Sequence, residues 1–318
     1  MNDEIAVIGA GRMGEGIALT CLAAGFPVVL ADVKDRTEDE RRAYADRVRA
    51  ELAGRLDEDA LAWLTVCGRE PGALSGAAVV FEAVPEVLEV KQEVLAWVCA
   101  EVAGDAVIAS TTSTFLVTEI AELVERPERA VNAHWLNPAD VMPLVEVSRS
   151  DATAPDAVAR LTGLLERLGK IPVVCGPTAG YIVPRLQALV MNEAARMVEE
   201  GVASPADIDL AVRAGLGPRF SVLGPLEFID WGGGDILFYA SRYLAAQLGD
   251  RFRHPDVIEE NMTSGHRGLQ DGIGFYVFDP QGVAAYRAAR MREFAELFHL
   301  REPELRVGTA VPTRPEGD

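Results

Sequence analysis

The chain has 318 residues, of which 49% are hydrophobic, so it is long enough for one large domain or two ordinary ones. Its formal net charge of −19 gives an acidic surface that repels phosphate groups, which excludes nucleic acids and anionic membranes as favoured partners. No apolar run approaches the roughly 18 residues that a membrane-spanning helix needs, and the N-terminal segment lacks the pattern of a signal peptide.

The cysteine pattern bears on metals and on the cellular compartment. The chain has 4 cysteines, each in an apolar context, and none forms a C-x-x-C pair. This spacing predicts neither disulfides nor a metal site. We therefore expect a reduced, cytoplasmic protein.

In the first half of the chain, short apolar runs alternate with amphipathic stretches. This alternation predicts an α/β fold with a Rossmann-like, doubly wound and mostly parallel sheet. The last strands are joined by shorter links, so that edge of the sheet could be mixed. The seven predicted strands are Ile5–Ile8, Val28–Ala31, Val79–Ala83, Val107–Ser110, Ala130–Ala133, Leu144–Val147 and Val173–Cys175.

The pattern changes to helices alone after residues 176–180. A long predicted helix ends at Gly201, and a second has Ser204 as its N-cap, Pro205 at its first position and Gly215 beyond its end. We expect a dinucleotide-binding domain over residues 1–178, a smaller all-helical substrate and dimerisation domain over 179–300, and a disordered tail over 301–318. The tail is polar and punctuated by proline and glycine.

A glycine-rich loop follows the first predicted strand and opens a helix. Gly9, Gly11 and Gly14 form the G-x-G-x-x-G pattern, in which the turn, the approach to a pyrophosphate and the helix–strand packing each need a glycine. The second strand ends at Asp32, whose carboxylate can accept from a ribose 2′-hydroxyl and repel a 2′-phosphate. This context predicts NAD binding, with NAD preferred over NADP, although Lys34 and Arg36 could soften that preference. The alternative is a tight strand-to-helix turn that binds no nucleotide.

Polar side chains follow several of the predicted strands. Ser113 follows one strand, His134 and Asn137 follow the next, and Glu146 lies near the end of another. Ligands of doubly wound sheets bind outside the carboxyl ends of the strands. A histidine oriented by a carboxylate suits the exchange of an alcohol proton while hydride leaves carbon. The alternative is a histidine that serves only core packing.

The segment "HWLNPADVMPLVEV" resembles the signature of the 3-hydroxyacyl-CoA dehydrogenase family, usually written H-F-F-N-P with a later L-V-E. The resemblance extends over about residues 1–300 and includes "VVFEAVPEVLEVKQEVL", "ASTTS" and "GYIVPRLQALVMNEAARMVEEG". It implies NAD as cofactor, a Rossmann-like first domain and a helical second domain that dimerises.

The resemblance also implies roles for individual residues. His134 corresponds to the catalytic acid/base and Glu146 to its partner, while Ser113 and Asn137 correspond to residues that contact the substrate oxygen. Cofactor contacts are expected from the glycine loop and from positions that match the family's cofactor site. These expected cofactor residues are Gly9, Gly11, Arg12, Met13, Gly14, Asp32, Glu86 and Lys91.

Three departures from the family pattern concern the substrate. Pro184 stands where the second-domain helix usually carries an active-site asparagine. The arm over Thr37–Cys67, which usually helps to hold CoA, is short, acidic and free of lysine. An added arginine, Arg219, resembles members that oxidise small free acids such as gulonate or pyridine-carboxylate alcohols. We therefore expect Pro184 and Arg219 at the substrate, although Arg219 could instead form a structural ion pair.

The leading hypothesis is an NAD-dependent dehydrogenase of a small 3-hydroxy acid or related carboxylate-bearing alcohol. One alternative is a 3-hydroxyacyl-CoA dehydrogenase, in particular of 3-hydroxybutyryl-CoA. A second places Lys91 as general base, as in decarboxylating β-hydroxyacid dehydrogenases. A third is a non-catalytic NAD-binding or structural protein, like the crystallin relatives of the family.

Overall fold

The computed structural model describes residues 4–307, with side chains through residue 301. It divides into two compact units, Met1–Val190 and Met191–Asp318. The boundary between these two units falls inside a helix, Val183–Glu199. Within residues 4–307, no helix is long and apolar enough to cross a membrane.

The first unit is built on an eight-stranded sheet in the order β3-β2-β1-β4-β5-β6-β7-β8. Neighbouring strands are parallel except β6 and β7, which are antiparallel, so the mixed edge allowed for in the sequence is present. The strands are β1 (Glu4–Ile8), β2 (Val28–Ala31), β3 (Leu64–Cys67), β4 (Ala77–Glu82), β5 (Val107–Ser110), β6 (Ala130–Trp135), β7 (Leu144–Ser148) and β8 (Ile171–Cys175).

Helices cover both faces of this sheet, because both faces are apolar. In β1, Ile5 and Val7 pack into one core, while Ala6 and Ile8 pack into the other. Such two-sided burial gives the continuous apolar runs that predicted the parallel strands. The covering helices are α1 (Arg12–Ala23), α2 (Glu38–Ala53), α3 (Glu58–Leu61), α4 (Leu88–Glu101), α5 (Val117–Glu122) and α6 (Pro155–Arg167).

All seven predicted strands are present, with ends shifted by a few residues, but β3 was missed. This strand has only four residues and lies at the edge of the sheet, where one of its side chains is fully buried. A short edge strand leaves little apolar pattern in the sequence, so these residues are assigned in the sequence analysis to the arm over Thr37–Cys67.

The rest of the described chain is mainly helical, from α7 (Val183–Glu199) to α13. Among the described residues of the second unit, strand pairing is limited to isolated β-bridges. Ser204 caps α8 and Pro205 is its first residue, as predicted. Gly215 lies beyond the end of this helix, as predicted, but the chain remains helical there. The remaining helices are α8 (Pro205–Ala211), α9 (Gly217–Val222), α10 (Pro225–Gly232), α11 (Gly234–Leu248), α12 (Asp256–Thr263) and α13 (Val283–Val307).

Gly215 lies inside a π-helical turn, Val212–Leu216, that joins α8 directly to α9. Its own φ is not in the left-handed region, so nothing at this glycine ends the helix. Helix α13 likewise continues past Leu300, into the segment expected to be disordered. Residues 308–318 lie outside the described chain.

Candidate active site

The glycine loop after β1 has the geometry that its pattern predicts. Gly9 has a φ of +104°, and a Cβ there would lie 2.6 Å from the Ala83 carbonyl oxygen. A Cβ on Gly14 would lie 1.9 Å from the Gly9 carbonyl oxygen, so both positions exclude a side chain. By contrast, a Cβ on Gly11 would meet no described atom within 4 Å. Open space in front of Gly11 is what a pyrophosphate requires.

Helix α1 begins immediately after this loop, with Arg12 and Met13 as its first residues. Its N-cap is Gly11, which makes no side-chain capping bond, so the first-turn N–H groups are available to phosphate oxygens. Tyr44 of α2 donates to the Ala10 carbonyl at 2.8 Å and fixes the loop from the other side. These features fit the phosphate-binding end of an NAD site.

Asp32 lies just beyond β2 and is 5% exposed. One of its oxygens accepts from Arg36, whose guanidinium also lies over the Tyr44 ring at 4.9 Å from the centroid. The other oxygen has only a long contact of 3.3 Å, from the Lys34 N–H. The Asp32 carboxylate can therefore still accept a hydrogen bond from a ribose hydroxyl, but its ion pair also places the Arg36 guanidinium beside that position.

Lys91 and Glu86 belong to a polar cluster after β4. The Lys91 ammonium lies 2.9 and 3.0 Å from the two oxygens of Glu82 and 3.2 Å from Glu86, and its side chain is 1% exposed. An ammonium this buried, with two carboxylate partners, does not reach a substrate. The geometry thus gives no support to Lys91 as general base, and Lys91 acts on the site through the two glutamates.

Glu86 holds the loop that carries Ser113. Its Oε1 accepts from the backbone N–H groups of Ser113 and Thr114, each at 2.9 Å, and from the Thr112 hydroxyl. Burial raises the pKa of Glu86, but the Thr112 hydrogen bond and the Lys91 charge outweigh burial, so the net shift is downward. A carboxylate kept ionised here orders the loop after β5.

His134 and Glu146 are brought together by the pairing of β6 with β7. They are direct partners in the antiparallel register, and His134 Nδ1 lies 2.8 Å from Glu146 Oε2. Glu146 is fully buried and His134 is 6% exposed. Glu146 therefore lies in the middle of β7 and meets His134 across the sheet, whereas the sequence had suggested a position near a strand end.

The second oxygen of Glu146 is also occupied. Oε1 accepts from the backbone N–H groups of Ile182 and Val183, each at 2.8 Å, where α7 begins. Helix N-termini favour negative charge, so the first turn of α7 is a suitable partner for this buried carboxylate. Glu146 thus joins the imidazole to the first turn of α7.

One further residue packs directly against His134, and no pattern in the sequence predicts a role for it. Tyr181 stacks on the imidazole, with ring centroids 4.8 Å apart and planes 10° apart. The Tyr181 hydroxyl accepts from Asn132 Nδ2 and donates to the Thr112 carbonyl. Tyr181 lies far along the chain from His134, so no local pattern could have paired them.

Of the remaining predicted residues, Ser113, Asn137 and Arg219 are exposed and Pro184 is half-buried. Ser113 and Asn137 are exposed on the loops after β5 and β6, and their side chains make no hydrogen bond within the described residues. Pro184 is the second residue of α7, where its missing N–H breaks no helical bond, as expected. Arg219 lies on α9.

The site can carry out proton exchange at a hydroxyl-bearing carbon. Glu146 accepts the Nδ1 proton of His134, which leaves Nε2 as the nitrogen that takes or returns a substrate proton. The imidazolium formed in that step is stabilised by the adjacent carboxylate. NAD, when bound, accepts the hydride that leaves the alcohol carbon.

Comparison with known proteins agrees with this geometry. Residues 4–178 match the family model described as "3-hydroxyacyl-CoA dehydrogenase, NAD binding domain", and residues 180–278 match "3-hydroxyacyl-CoA dehydrogenase, C-terminal domain". Among relatives, 5-formyl-3-hydroxy-2-methylpyridine 4-carboxylate 5-dehydrogenase of Mesorhizobium japonicum is 31% identical over 306 residues, covering 95% of this chain and 99% of the relative.

Two solved structures extend the likeness to three dimensions. A 3-hydroxyacyl-CoA dehydrogenase from Archaeoglobus fulgidus has a TM-score of 0.78 and 34% identity, covering 93% of this chain and 98% of its own. A 5-formyl-3-hydroxy-2-methylpyridine 4-carboxylic acid 5-dehydrogenase, described as an NAD+ dependent dismutase, has a TM-score of 0.68 and 30% identity, covering 95% and 99%. The chain therefore belongs to the 3-hydroxyacyl-CoA dehydrogenase family, as an NAD-dependent dehydrogenase that acts on CH–OH groups.

Proposed function

We propose that this dehydrogenase acts on a small hydroxy compound that carries a free carboxylate, with His134 as the acid/base. The observation that carries the proposal is the state of Arg219. It is exposed on α9, and within the described chain its only side-chain partner is the Phe228 ring, 5.7 Å away. The structural ion pair considered as an alternative is thus absent from the described chain, and the guanidinium is free to bind an anion.

The surroundings of Arg219 suit an organic acid. It lines a cavity of about 580 Å³ whose other walls are apolar. A guanidinium beside an apolar wall can hold a carboxylate bidentately while the wall packs against the rest of the ligand. The other lining residues are Phe228, Trp231, Met291, Phe294, Ala295 and Phe298.

The motif Trp231–Asp235 takes part in this arrangement in two ways. Trp231 lines the cavity, whereas Gly233, with a φ of +99°, turns the chain between α10 and α11. A Cβ on Gly233 would lie 2.5 Å from Asp235 Oδ1, so the turn itself needs glycine. The glycine run is therefore a chain reversal that leaves the indole at the cavity.

Two further observations favour a free acid over a CoA thioester. The arm formed by α2 and α3 has arginines but no lysine, and its arginines are engaged by carboxylates such as Glu15, Glu51 and Asp140. CoA carries several phosphate charges, which an acidic arm holds poorly. The pyridine-carboxylate dehydrogenase of Mesorhizobium japonicum, matched over nearly its whole length, also acts on a carboxylate.

A 3-hydroxyacyl-CoA dehydrogenase is the second candidate. It is favoured by the TM-score of 0.78 to the Archaeoglobus fulgidus enzyme. Short-chain acyl-CoA oxidation would use the same His134 and NAD, so only the substrate distinguishes the two candidates.

In either case, the chain's own residues divide the work. His134 Nε2 takes the alcohol proton as the carbon is oxidised, and Glu146 orients the ring through Nδ1. Ser113 and Asn137 stand on adjacent loops with free side chains that can hold the reacting oxygen. In the reverse direction the imidazolium returns the proton to the carbonyl oxygen.

The test compares 3-hydroxybutyryl-CoA with a panel of free hydroxy acids by NADH absorbance, on wild type and Arg219→Ala. A charge-assisted pair contributes roughly 1.5–3 kcal/mol, so its loss should lower kcat/KM for the free acid by about one to two decades. The matched control is Arg242→Ala, an exposed arginine that lies over Phe238 at 5.5 Å in the same way. The control should leave kcat/KM unchanged.

Preference for the CoA ester, together with an Arg219→Ala variant that is silent on free acids, would overturn the substrate assignment. The role of His134 is tested separately. His134→Asn should lower kcat by at least about two decades while NADH still binds, because general acid–base groups typically contribute that much. NADH binding with no turnover of any alcohol by wild type would instead indicate a non-catalytic protein.

A further inference from the structure

We propose that Tyr181 is a positioning residue that fixes the plane of the His134 imidazole and ties it to the loop carrying Ser113. The inference rests on the proposed role of His134 as acid/base and adds a residue to that site. It is carried by two contacts of Tyr181, through its ring and its hydroxyl, and by the conformation of its backbone.

The ring contact restrains rotation of the imidazole. The His134 and Tyr181 rings are stacked at 4.8 Å between centroids with an angle of only 10°. The hydrogen bond from Nδ1 to Glu146 fixes one atom of the imidazole but leaves the ring able to tilt about that bond. A flat face packed against the ring removes this freedom, so the stack and the hydrogen bond together define where Nε2 points.

The hydroxyl contact links the stack to the substrate side of the site. Tyr181 Oη donates to the Thr112 carbonyl at 2.7 Å and accepts from Asn132 Nδ2 at 3.1 Å. Thr112 directly precedes Ser113, and Asn132 is on the same face of β6 as His134. Tyr181 is 4% exposed, so these hydrogen bonds are shielded from water.

The backbone of Tyr181 leads directly into the segment that binds Glu146. Gly180 and Tyr181 have φ values of +76° and +46°, and Tyr181 is the only non-glycine residue of the described chain in the left-handed region. This conformation is unfavourable for a side chain as large as tyrosine. It immediately precedes the two N–H groups, of Ile182 and Val183, that donate to Glu146 Oε1.

Consecutive left-handed residues followed by N–H groups that converge on an anion form a compact anion-binding turn. The same turn presents the Tyr181 ring to His134. One strained segment therefore holds both partners of the imidazole, the carboxylate at its edge and the aromatic ring on its face. Strain of this kind persists where the surrounding contacts over-determine the conformation.

The experiment uses the full-length protein with Tyr181→Phe, Tyr181→Leu and Tyr181→Met, and with Tyr286→Leu as a control for lost aromatic packing elsewhere. Phenylalanine keeps the stack and loses the hydroxyl, whereas leucine and methionine lose the flat face. Small errors in orientation are costly in catalysis, so we expect kcat to fall about tenfold or more in the leucine and methionine variants. We expect a loss of less than about threefold in Tyr181→Phe, with the Kd for NADH unchanged throughout.

A spectroscopic measurement separates positioning from general stability. The Nδ1–H of His134 should give a hydrogen-bonded ¹H–¹⁵N signal, assigned by its absence in His134→Asn; the chain has only 4 histidines. The signal should persist in Tyr181→Phe and Tyr286→Leu and be lost in Tyr181→Leu. Should the leucine variant not fold, the methionine and phenylalanine variants report the same contrast.

Three results would count against the inference. It is overturned if Tyr181→Leu or Tyr181→Met keeps both kcat and the Nδ1–H signal, or if Tyr181→Phe loses as much activity as either. Failure of the proposed function is distinguishable, because His134→Asn would then remain active. An inactive His134→Asn beside fully active Tyr181 variants rejects the role of Tyr181 alone.

Discussion

His134 Nδ1 lies 2.8 Å from Glu146 Oε2, and the other oxygen of the same carboxylate accepts two backbone N–H groups at the start of α7. Within the described chain, this fully buried carboxylate therefore only accepts hydrogen bonds, and it does so on both oxygens. A carboxylate can accept on both oxygens, but an amide cannot.

Glu146→Gln should therefore be more damaging than its small change in shape suggests. If the amide oxygen faces α7, its NH2 group faces Nδ1 and forces the imidazole into the opposite tautomer. We expect kcat to fall by about two decades with little change in the Kd for NADH. Steady-state kinetics and NADH fluorescence titration check this, with Glu89→Gln on α4 as an exposed control. Wild-type kcat in Glu146→Gln would contradict the expectation.

Cofactor preference should depend on Asp32 and Arg36 together. Wild type should favour NAD, because the Asp32 carboxylate accepts from the 2′-hydroxyl and repels a 2′-phosphate. Asp32→Ala removes the partner of Arg36, and the released guanidinium can then pair with the 2′-phosphate of NADP. We expect kcat/KM for NADP to rise in Asp32→Ala and to fall again in the double variant Asp32→Ala with Arg36→Ala. Equal gains in kcat/KM for NADP in both variants would show that Arg36 does not bind the 2′-phosphate.

The buried pair of Lys91 and Glu82 should dominate the local stability of the cofactor domain. Lys91→Met leaves Glu82 fully buried with the Ser110 hydroxyl and the Val84 N–H as its remaining donors. Breaking a buried ion pair from one side costs about 3–5 kcal/mol. Urea denaturation should show this loss, and adding Glu82→Gln should restore part of it. A stable single variant would mean that water reaches the carboxylate.

Glu86 should make stability depend on pH at the acidic end. Its pKa is lowered in the folded protein below an ordinary value of 4.5, because hydrogen bonds and the Lys91 charge outweigh the effect of burial. A group with a depressed pKa stabilises the fold above its unfolded pKa, and this stabilisation is lost as pH falls through the folded pKa. Between about pH 5 and pH 3, Tm should fall less steeply in Glu86→Gln than in wild type. An unchanged slope would show that Glu86 is not linked to folding.

The helical unit should dimerise through an apolar face of α11. Ile236, Tyr239 and Tyr243 are spaced by three and four residues, so they share one helix face, and they are 63%, 62% and 68% exposed. A row of large exposed apolar side chains is typical of an interface between subunits. Light scattering should give a dimer mass at micromolar concentration, and Tyr239→Glu with Tyr243→Glu should give a monomer. A monomeric wild type would reject the prediction.

The sequence alone predicted most strands of the sheet, the cofactor loop and the polar side chains that follow the strands. Strands buried on both faces form continuous apolar runs, and the glycine pattern is a local steric requirement, so both can be read from neighbouring residues. Polar residues after neighbouring strands also placed His134 and Glu146 in one hypothesis, and the resemblance to one family gave the same pair. Two features leave no pattern in the sequence: β3, which is too short and too near the edge, and the π-helical turn after α8, which no property of Gly215 marks.

Tertiary structure decided which side chains face each other. The antiparallel register of β6 and β7 places Glu146 opposite His134, and the left-handed turn at Tyr181 brings an aromatic ring from far along the chain onto the same imidazole. The fold also buries Lys91 between two glutamates, which gives no support to a role as base, and leaves Arg219 without a carboxylate partner among the described residues. Contacts between distant residues depend on how elements pack, and sequence spacing carries no measure of that packing.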